Sequence, residues 1–365
     1  MNVARGVLIV GLLMLMVSAG LAQSFSVDKA SPSAGAIPCN GADVLGPTPP
    51  APGPGPLPLP TIGITSGQLG ITGTAPEIDA LSYGWFPPRD LSVWYFSVDR
   101  NAAGIPHGIV PWCTVTTEGI NGRNEASADV FVARVGPGPM GPPPPPVAGV
   151  KNQGFYDGDG LNVGIRYYPG LGLNAEPNPG GDNLDAFDLN SLSSQPSTVY
   201  YSLDPATAAA NGRGPADVLY TWNPWLNPGF GPLLFAGAGA LGLGSGDDVD
   251  ALALRDIGTV LTYEPGMDIV FFSVTPGSAI IGRPDSLWGA AIEAGDILID
   301  PASIGMPAGS LPGIWIAAEH LGLQTLRAGF NQMDNLDALD VVPEPATLAL
   351  LGLGVAGLAA RRRRK

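Results

Sequence analysis

The chain has little of what enzyme and metal chemistry usually requires. Among its 365 residues there are only two histidines and two cysteines. His107, His320, Cys39 and Cys113 do not have the spacing of a zinc site. There is also no G-x-S-x-G sequence, and two histidines leave few bases to activate a nucleophile. We therefore predict a protein that is not an enzyme and that has no metal or cofactor.

Basic residues are scarce in residues 23–342. Six of the 17 lysines and arginines lie outside this range, whereas only one of the 32 acidic residues does. The range thus has a net charge of about −20, which argues against nucleic acid as a partner because phosphate is itself negative. Such an acidic surface keeps a protein hydrated and soluble.

The last 23 residues combine three features in a fixed order. A Pro-Glu-Pro triplet is followed by an uncharged apolar run at 346–360, which is shorter than the roughly 20 residues of a typical membrane span. Prolines favour extended backbone, which suits a protease. Basic residues after an apolar run indicate a membrane segment whose basic end stays in the cytoplasm. The residues concerned are Pro343, Glu344 and Pro345, then Arg361, Arg362, Arg363, Arg364 and Lys365.

This tail resembles the PEP-CTERM sorting signal of Gram-negative bacteria. The resemblance covers residues 343–365 only. It implies recognition by an exosortase-like membrane enzyme, which cuts near the Pro-Glu-Pro and releases or transfers the body to the surface. Such proteins often come from producers of extracellular polysaccharide. The resemblance implies a membrane-anchored precursor and a destination, the cell surface or the exterior, but it does not imply an activity.

The start of the chain agrees with export. Arg5, an apolar run at 6–17 and small residues up to Ala22 predict a signal peptide over 1–22. We predict a disordered leader and a Pro/Gly-rich linker over 23–60, and a β-repeat body over 61–342. In the oxidising exterior, Cys39 and Cys113 are expected to form a disulfide.

The body contains a repeat. The clearest element is an acidic hexad around an Asp-Ala pair, and a Leu-Gly-hydrophobic triplet precedes each copy. Aromatic-Ser and small-Asp-hydrophobic patterns recur between hexads. The hexads lie at 76–81, 182–187, 247–252 and 334–339; the triplets begin at Leu69, Leu171, Leu241 and Leu321. We expect units of about 77–181, 182–246 and 247–333, with a partial unit at 334–342.

Each recurring piece is short, rich in Val, Ile, Phe and Tyr, and bounded by turn residues, which predicts strands. No amphipathic helix of 10 or more residues is evident in the body. We therefore predict an all-β fold of tandem repeats of about four antiparallel strands. A unit of this kind cannot bury its apolar face alone, so the repeats form a propeller-like ring or a β-sandwich. The C-terminal segment is expected to be a membrane helix.

Two interpretations of the hexads remain open. Closely spaced carboxylates are typical Ca²⁺ ligands, although Asp157-Gly158-Asp159-Gly160-Leu161 does not match an EF-hand loop. Alternatively, the aspartates begin turns and strands and accept hydrogen bonds from nearby backbone, which is the interpretation we favour. The weak Ca²⁺ candidates are Asp182, Asp185, Asp247, Asp248, Asp250, Asp334 and Asp337.

Carboxylate pairs could also serve a glycosidase, but enzymes usually have one site, whereas these carboxylates recur in every unit. Tryptophans could stack on extracellular polysaccharide, and Trp222, Trp225, Trp288 and Trp315 are the candidates. The sequence thus predicts an exported surface or matrix protein that acts as a structural or binding module. A secreted carbohydrate-active hydrolase is the alternative.

Overall fold

The computed structural model describes twelve segments of the chain. Backbone contacts divide the chain into a body, Phe25–Asp340, and a second unit made of Met1–Ser24 and Val341–Lys365. Of the second unit only residues 22–24 and 341–342 are described, so the predicted membrane segment and the Pro-Glu-Pro triplet lie outside the described residues. The segments are 22–48, 57–73, 76–82, 93–107, 113–119, 124–135, 150–160, 168–173, 182–190, 198–222, 231–259 and 261–342.

The described residues are mainly β-strands. Short helices occur at Pro32–Ala36, Ser66–Leu69, Val115–Glu118 and Pro205–Ala210, with single 3₁₀ turns at Ala126–Ala128, Ala238–Ala240 and Ala318–His320. The strands are β1 (Ala22–Val27), β2 (Val44–Gly46), β3 (Thr61–Ile64), β4 (Ile71–Thr72), β5 (Ala80–Ser82), β6 (Val93–Ser97), β7 (Ala103–Gly104), β8 (Val130–Arg134), β9 (Asn152–Tyr156), β10 (Leu184–Asn190), β11 (Thr198–Leu203), β12 (Val218–Trp222), β13 (Leu233–Ala236), β14 (Val249–Arg255), β15 (Ile269–Val274), β16 (Ile297–Ile299), β17 (Gly313–Ile316) and β18 (Leu336–Val342).

Four four-stranded sheets are arranged as a four-bladed propeller. Blade 1 has the order β18-β1-β2-β3, blade 2 β5-β6-β8-β9, blade 3 β10-β11-β12-β13 and blade 4 β14-β15-β16-β17, while β4 and β7 form a separate pair. Each blade begins with a hexad strand, and these strands are innermost, because β10 packs against both β5 and β14. The predicted all-β, propeller-like fold is confirmed, and the sandwich alternative is wrong.

Blade 1 corrects the predicted body boundary. Strand β2 and all of β1 except Ala22 lie within residues 23–60, the stretch predicted to be a disordered leader and linker. Phe25-Ser26-Val27-Asp28 repeats Phe96-Ser97-Val98-Asp99, and Ala42-Asp43-Val44 repeats Ala128-Asp129-Val130. The fourth unit is therefore complete but divided between the two ends of the chain. The Pro/Gly-rich residues around 49–56 concealed this match.

The Leu-Gly triplet has a structural cause that is the same in all four blades. Its leucine is fully buried in each copy. Its glycine has a φ of 81°, 81°, 79° and 81° at Gly70, Gly172, Gly242 and Gly322. This left-handed conformation strains any residue with a Cβ. The leucine of the triplet thus packs into the core, and the glycine allows the chain to turn before the next hexad.

The hydrophobic core lies between neighbouring blades. Phe272 and Leu252 of blade 4 pack with Tyr200 and Phe235 of blade 3. Across blades 2 and 3, Ala80 and Tyr156 pack with Phe187 and Tyr201. The inner strands are buried on both faces, as β14 shows, since all of its residues except Arg255 are buried. A blade therefore needs its neighbours in order to bury its apolar surface.

Serine hydroxyls join three of the four blades to the next blade. Ser26 Oγ donates to Ile78 O at 3.1 Å, Ser202 Oγ to Val249 O at 3.0 Å, and Ser273 Oγ to Leu336 O at 2.7 Å. Each acceptor is the residue immediately before the central aspartate of a hexad. Ser97, at the same position in blade 2, is fully buried but its Oγ has no hydrogen-bond partner.

This difference predicts unequal losses of stability. Ser273→Ala and Ser202→Ala should each lower the free energy of unfolding by about 1 kcal/mol, because a buried carbonyl loses its donor. Ser97→Ala is the matched control and should be nearly neutral, since no bond is broken. Denaturant unfolding of the full-length chain would measure both. An equal loss in the Ser97 variant would show that the hydroxyl bonds are not what stabilises the junctions.

Candidate functional site

The hexads bring one aspartate from each blade to the propeller axis. We call these four residues the axial aspartates: Asp79, Asp185, Asp250 and Asp337. Asp79 lies directly before β5, and the other three are the second residues of β10, β14 and β18. Because the four hexad strands are innermost, the carboxyls face one another around the axis. Each of them influences the ionisation of at least one other member of the ring.

The axial aspartates lie in an environment that disfavours charge. Asp250 is 5% exposed and Asp79 is 8% exposed. Burial raises the pKa of all four carboxyls well above the usual range, and the negative charges of neighbouring carboxyls raise it further. None of the ion pairs within the described segments involves an axial aspartate.

The residue two positions before each axial aspartate influences an axial aspartate of the neighbouring blade. Asn183 Nδ2 donates to Asp79 Oδ2 at 3.1 Å. Asn335 lies beside Asp250 and lowers the pKa of that carboxyl, whereas the charge of Asp248 raises the pKa of Asp185. We call these contacts blade junctions. Asp79 and Asp250 thus have an amide beside the carboxyl, whereas Asp185 and Asp337 each have a second carboxyl nearby, that of Asp248 and that of Glu77.

The ring has more acceptors than donors. Several oxygens at the junctions are buried and have no hydrogen-bond partner: Asn183 Oδ1, Asp248 Oδ1, Asp250 Oδ2 and Asn335 Oδ1. An unsatisfied buried acceptor costs about 1–3 kcal/mol, so such atoms are uncommon in folded proteins. Their concentration at one place distinguishes the ring from the rest of the core.

The leading aspartates of the hexads, Asp182, Asp247 and Asp334, have a different role. Asp247 accepts hydrogen bonds from Gly244 N at 2.7 Å and Ile280 N at 2.9 Å. Asp334 accepts from Ser33 N at 2.8 Å and from Gln324 N at 2.6 Å. The bond from Gly244 is the local turn interaction expected from the sequence, whereas Ile280, Ser33 and Gln324 are distant in the chain and are joined to these aspartates by the fold.

The axial aspartates do not share this turn role. We had expected Asp185, Asp250 and Asp337 to accept from nearby backbone as well, but their carboxyls face the axis instead. Position within the strand explains the difference, because the second residue of an innermost strand points away from its own turn and toward the opposite blades. The Ca²⁺ candidates therefore divide into a turn group and an axial group.

A second set of aspartates, not singled out from the sequence, also serves the turns. Asp217 accepts from Gly214 N and Ala238 N, both at 2.9 Å, and so ties β12 to the turn that follows β13. Asp296 does the same in blade 4, accepting from Glu293 N at 2.8 Å and Ala318 N at 2.9 Å. The recurring small-Asp-hydrophobic pattern was the signal that could have identified them.

Within the described segments, no group of three or more His, Cys, Asp or Glu side chains is arranged to hold a metal ion. Asp157 and Gly160 form a local turn in which Gly160 N donates to Asp157 Oδ1 at 2.8 Å. Burial, together with Asp159 nearby, raises the pKa of Asp157 to about 7. The Asp157–Gly160 segment is thus a partly buried turn.

The cysteines do not form the expected disulfide, since both are free thiols. Cys39 follows the helix Pro32–Ala36, and its thiol donates to Ala34 O at 3.7 Å. Cys113 is buried beside Glu118, and burial raises the pKa of its thiol far above the ordinary value. Each thiol interacts with a residue close to it in the sequence, Cys39 with Ala34 and Cys113 with Glu118. Cys113 is expected to be unreactive.

The tryptophan candidates differ in exposure. Trp288 is 51% exposed and Trp222 is 40% exposed. Trp315 packs against Phe271, with 5.6 Å between ring centroids, so it serves the fold. Trp225 lies outside the described residues. Trp288 and Trp222 are the two that present surface for a ligand.

A protein-family model described as the PEP-CTERM protein-sorting motif matches residues 341–364. The chain therefore carries this motif, as an exosortase substrate does, and it is an exported, C-terminally sorted bacterial protein made as a membrane-anchored precursor. Neither the curated proteins nor the solved structures contain a significant match. In the described segments, no helix has the length and hydropathy needed to cross a membrane.

The turn role of Asp247 can be tested directly. Asp247→Ala should lower the free energy of unfolding by about 1–3 kcal/mol, because Gly244 N and Ile280 N lose a charged acceptor. Asp247→Asn keeps one acceptor oxygen and should cost less. Thermal melts of the full-length chain should give the same losses with chelator and with millimolar Ca²⁺. A loss seen only with Ca²⁺ would show that Asp247 is a metal ligand.

Proposed function

We propose that the propeller is a non-catalytic binding module of the cell surface or extracellular matrix, with extracellular polysaccharide as its ligand. The sorting motif supports the destination, and the acidic surface makes the body soluble outside the cell. Strand β18 ends at Val342, directly before Pro343, so a cut at the Pro-Glu-Pro triplet leaves the four blades intact. A rigid propeller carrying an exposed aromatic group fits a module that binds without turnover.

Trp288 is the observation that carries the polysaccharide proposal. Its indole Nε1 donates to Ile314 O at 3.1 Å, and its backbone N–H donates to Asp285. The ring is therefore held in one orientation while half of its surface stays exposed. A fixed aromatic face loses little conformational entropy when a sugar ring stacks on it.

Asp285 makes this loop rigid. Its two carboxylate oxygens accept hydrogen bonds from Leu287 N at 2.9 Å, Ala290 N at 2.7 Å and Ile314 N at 3.0 Å. The last bond fixes the loop to β17 of the same blade. Trp288 thus lies on a loop that hydrogen bonds fix to β17, and this rigidity favours a binding role.

The alternative is a secreted carbohydrate-active hydrolase. Glycoside hydrolysis needs a protonated and an ionised carboxyl about 5 to 10 Å apart around the scissile bond. Burial raises the pKa of Asp185 and of Asp248, so these two carboxyls are the candidates for this chemistry. A hydrolysis screen run alongside the binding assay separates the two functions, since turnover favours the enzyme.

The sorting role predicts a processing defect. Alanine substitution of Pro343, Glu344 and Pro345 should leave a full-length, membrane-retained form, because the protease loses its extended recognition strip. The control is alanine substitution of Pro52, Gly53 and Pro54, a Pro-x-Pro triplet in the Pro/Gly-rich stretch, which should be processed normally. Mass spectrometry of the mature C-terminus gives the result. An unchanged C-terminus in the Pro343 variant would contradict sorting at this motif.

The binding role predicts a specific loss of glycan affinity. On a glycan array with the full-length chain, Trp288→Ala should weaken polysaccharide binding at least about tenfold, or roughly 1.4 kcal/mol. Trp288→Phe keeps an aromatic face and should retain most of the affinity, whereas Trp222→Ala should change little. Equal binding by Trp288→Ala and the wild type would place the ligand elsewhere.

A further inference from the structure

Two apolar side chains on the loop between β14 and β15 are more exposed than any other large apolar side chain of the described residues. Met267 is 54% exposed and Ile257 is 52% exposed. The structure describes this loop as residues 256–259 and 261–268. Leu261 and Tyr263 of the same loop pack against the core between blades 3 and 4, whereas Met267 and Ile257 lie outside it. The two exposed side chains are thus available for contact with a partner.

Hydrogen bonds hold these two side chains close together. One oxygen of the buried Asp268 carboxylate accepts from Ile257 N at 2.7 Å and from Gly258 N at 2.8 Å. The other oxygen accepts from Glu264 N at 2.7 Å. Met267 directly precedes Asp268, and its own N–H donates to Glu264 O at 3.0 Å. Ile257 and Met267 are therefore neighbours on a fixed backbone, and we call this pair the apolar tip.

The surface around the apolar tip has no exposed charge. Asp256, Asp268 and Asp300 are buried. Ser303 Oγ donates to Asp268 O at 3.0 Å, which joins the loop that follows β16 to the loop of the tip. Every exposed residue of 256–259, 261–268 and 301–310 is uncharged. Anionic lipids give a membrane surface a negative potential that repels carboxylates, so an uncharged surface approaches a membrane without this repulsion.

Strand direction places the apolar tip at the same face of the propeller as the end of the last strand. Equivalent strands of successive blades are related by rotation about the axis, so β14 and β18 run in the same direction. Ser273 connects their starts, because it pairs with Ala251 of β14 and its Oγ donates to Leu336 O of β18 at 2.7 Å. The C-terminal ends of both strands therefore lie at the other end of the ring. The loop of the tip continues from one of them and the sorting motif from the other.

The chain leaves little distance between β18 and the membrane. The sorting motif makes the precursor membrane-anchored, and we expect the apolar run at 346–360 to supply the anchor. Only three residues separate this run from Val342, the last residue of β18. An extended chain covers at most about 3.6 Å per residue, so the end of β18 lies within roughly 15 Å of the lipid. The face that carries the apolar tip is thus the face nearest the membrane.

A second pair of exposed apolar side chains lies at the opposite face. Leu326 is 49% exposed and Phe330 is 46% exposed. Both belong to the stretch that precedes β18, so they lie where the innermost strands begin. Exposure alone therefore does not distinguish the apolar tip. Its position beside the end of β18 does, and the second pair provides a matched control.

We propose that the apolar tip contacts the lipid surface of the membrane that anchors the precursor, and so orients the propeller while the sorting motif is processed. Two apolar side chains bind a membrane only weakly and reversibly by themselves. The covalent anchor keeps them at a high effective concentration near the lipid. Because the loop is already fixed by Asp268, the contact costs little conformational entropy. Cleavage at the motif removes the anchor, and the body then leaves the membrane.

Fluorescence quenching of the full-length chain in liposomes of phosphatidylethanolamine and phosphatidylglycerol tests the proposal. Met267→Cys, in a Cys39→Ser background, carries a fluorescent label, and part of the lipid carries a nitroxide on its acyl chain. Because Met267 is exposed, this substitution should leave the fold intact. The nitroxide should quench most of the fluorescence. Phe330→Cys in the same background is the control at the opposite face, and its label should stay nearly unquenched.

Equal quenching at the two positions, or none at Met267, would overturn the proposal. A blue shift of the Met267→Cys label that grows with protein concentration in detergent would also overturn it, because a second copy of the chain would then cover the tip. Hydroxyl-radical footprinting of the wild type needs no variant. Met267 should be oxidised more slowly in liposomes than in the body released by cleavage, whereas Met333, which precedes β18, should react alike in both. Equal oxidation of Met267 in the two samples would exclude the lipid contact.

Discussion

The ring is closed by β18, which comes from the end of the chain and forms the innermost strand of a blade whose other strands come from its start. Ser33 N donates to Asp334 Oδ1 at 2.8 Å, across 301 residues of sequence. Because the cores lie between blades, an open ring would expose the apolar faces on both sides of the gap. Blade 1 therefore has no stable form until the last strand is in place, and the stability of the whole body depends on this long-range pairing.

The same closure brings the four axial aspartates together. A carboxylate transferred from water into a protein interior costs several kcal/mol unless it is paired. The hexad repeats the aspartate at the axial position in every blade, so the ring concentrates this cost at one point. Asn183 reduces it at Asp79 by donating an N–H group to that carboxyl, whereas Asp185 has the carboxyl of Asp248 beside it. The backbone of the ring thus repeats in all four blades, whereas the side chains beside the axial aspartates differ from blade to blade.

The repeat pattern predicted the blades because hexads and Leu-Gly triplets report local geometry: a buried leucine, a left-handed glycine and an innermost strand. It missed the first blade, since β1 and β2 are separated from their hexad by most of the chain. It also could not separate leading from axial aspartates. The donors that distinguish them, such as Ser33 and Ile280, are brought close only by the fold. The state of Cys39 and Cys113 likewise depends on packing that spacing does not reveal.

The position of the sorting motif relative to β18 constrains how the protein matures. Asp337 and the acceptor carbonyl of Leu336 both belong to this strand, so a cut upstream of it would remove one axial carboxyl and the hydrogen bond from Ser273. A cut at Pro343 or beyond leaves both in place. Val342 is the last residue of β18, and the match to the sorting motif begins at residue 341. The last strand and the sorting motif therefore share only residues 341 and 342, so the rest of the motif follows the last residue that any blade uses.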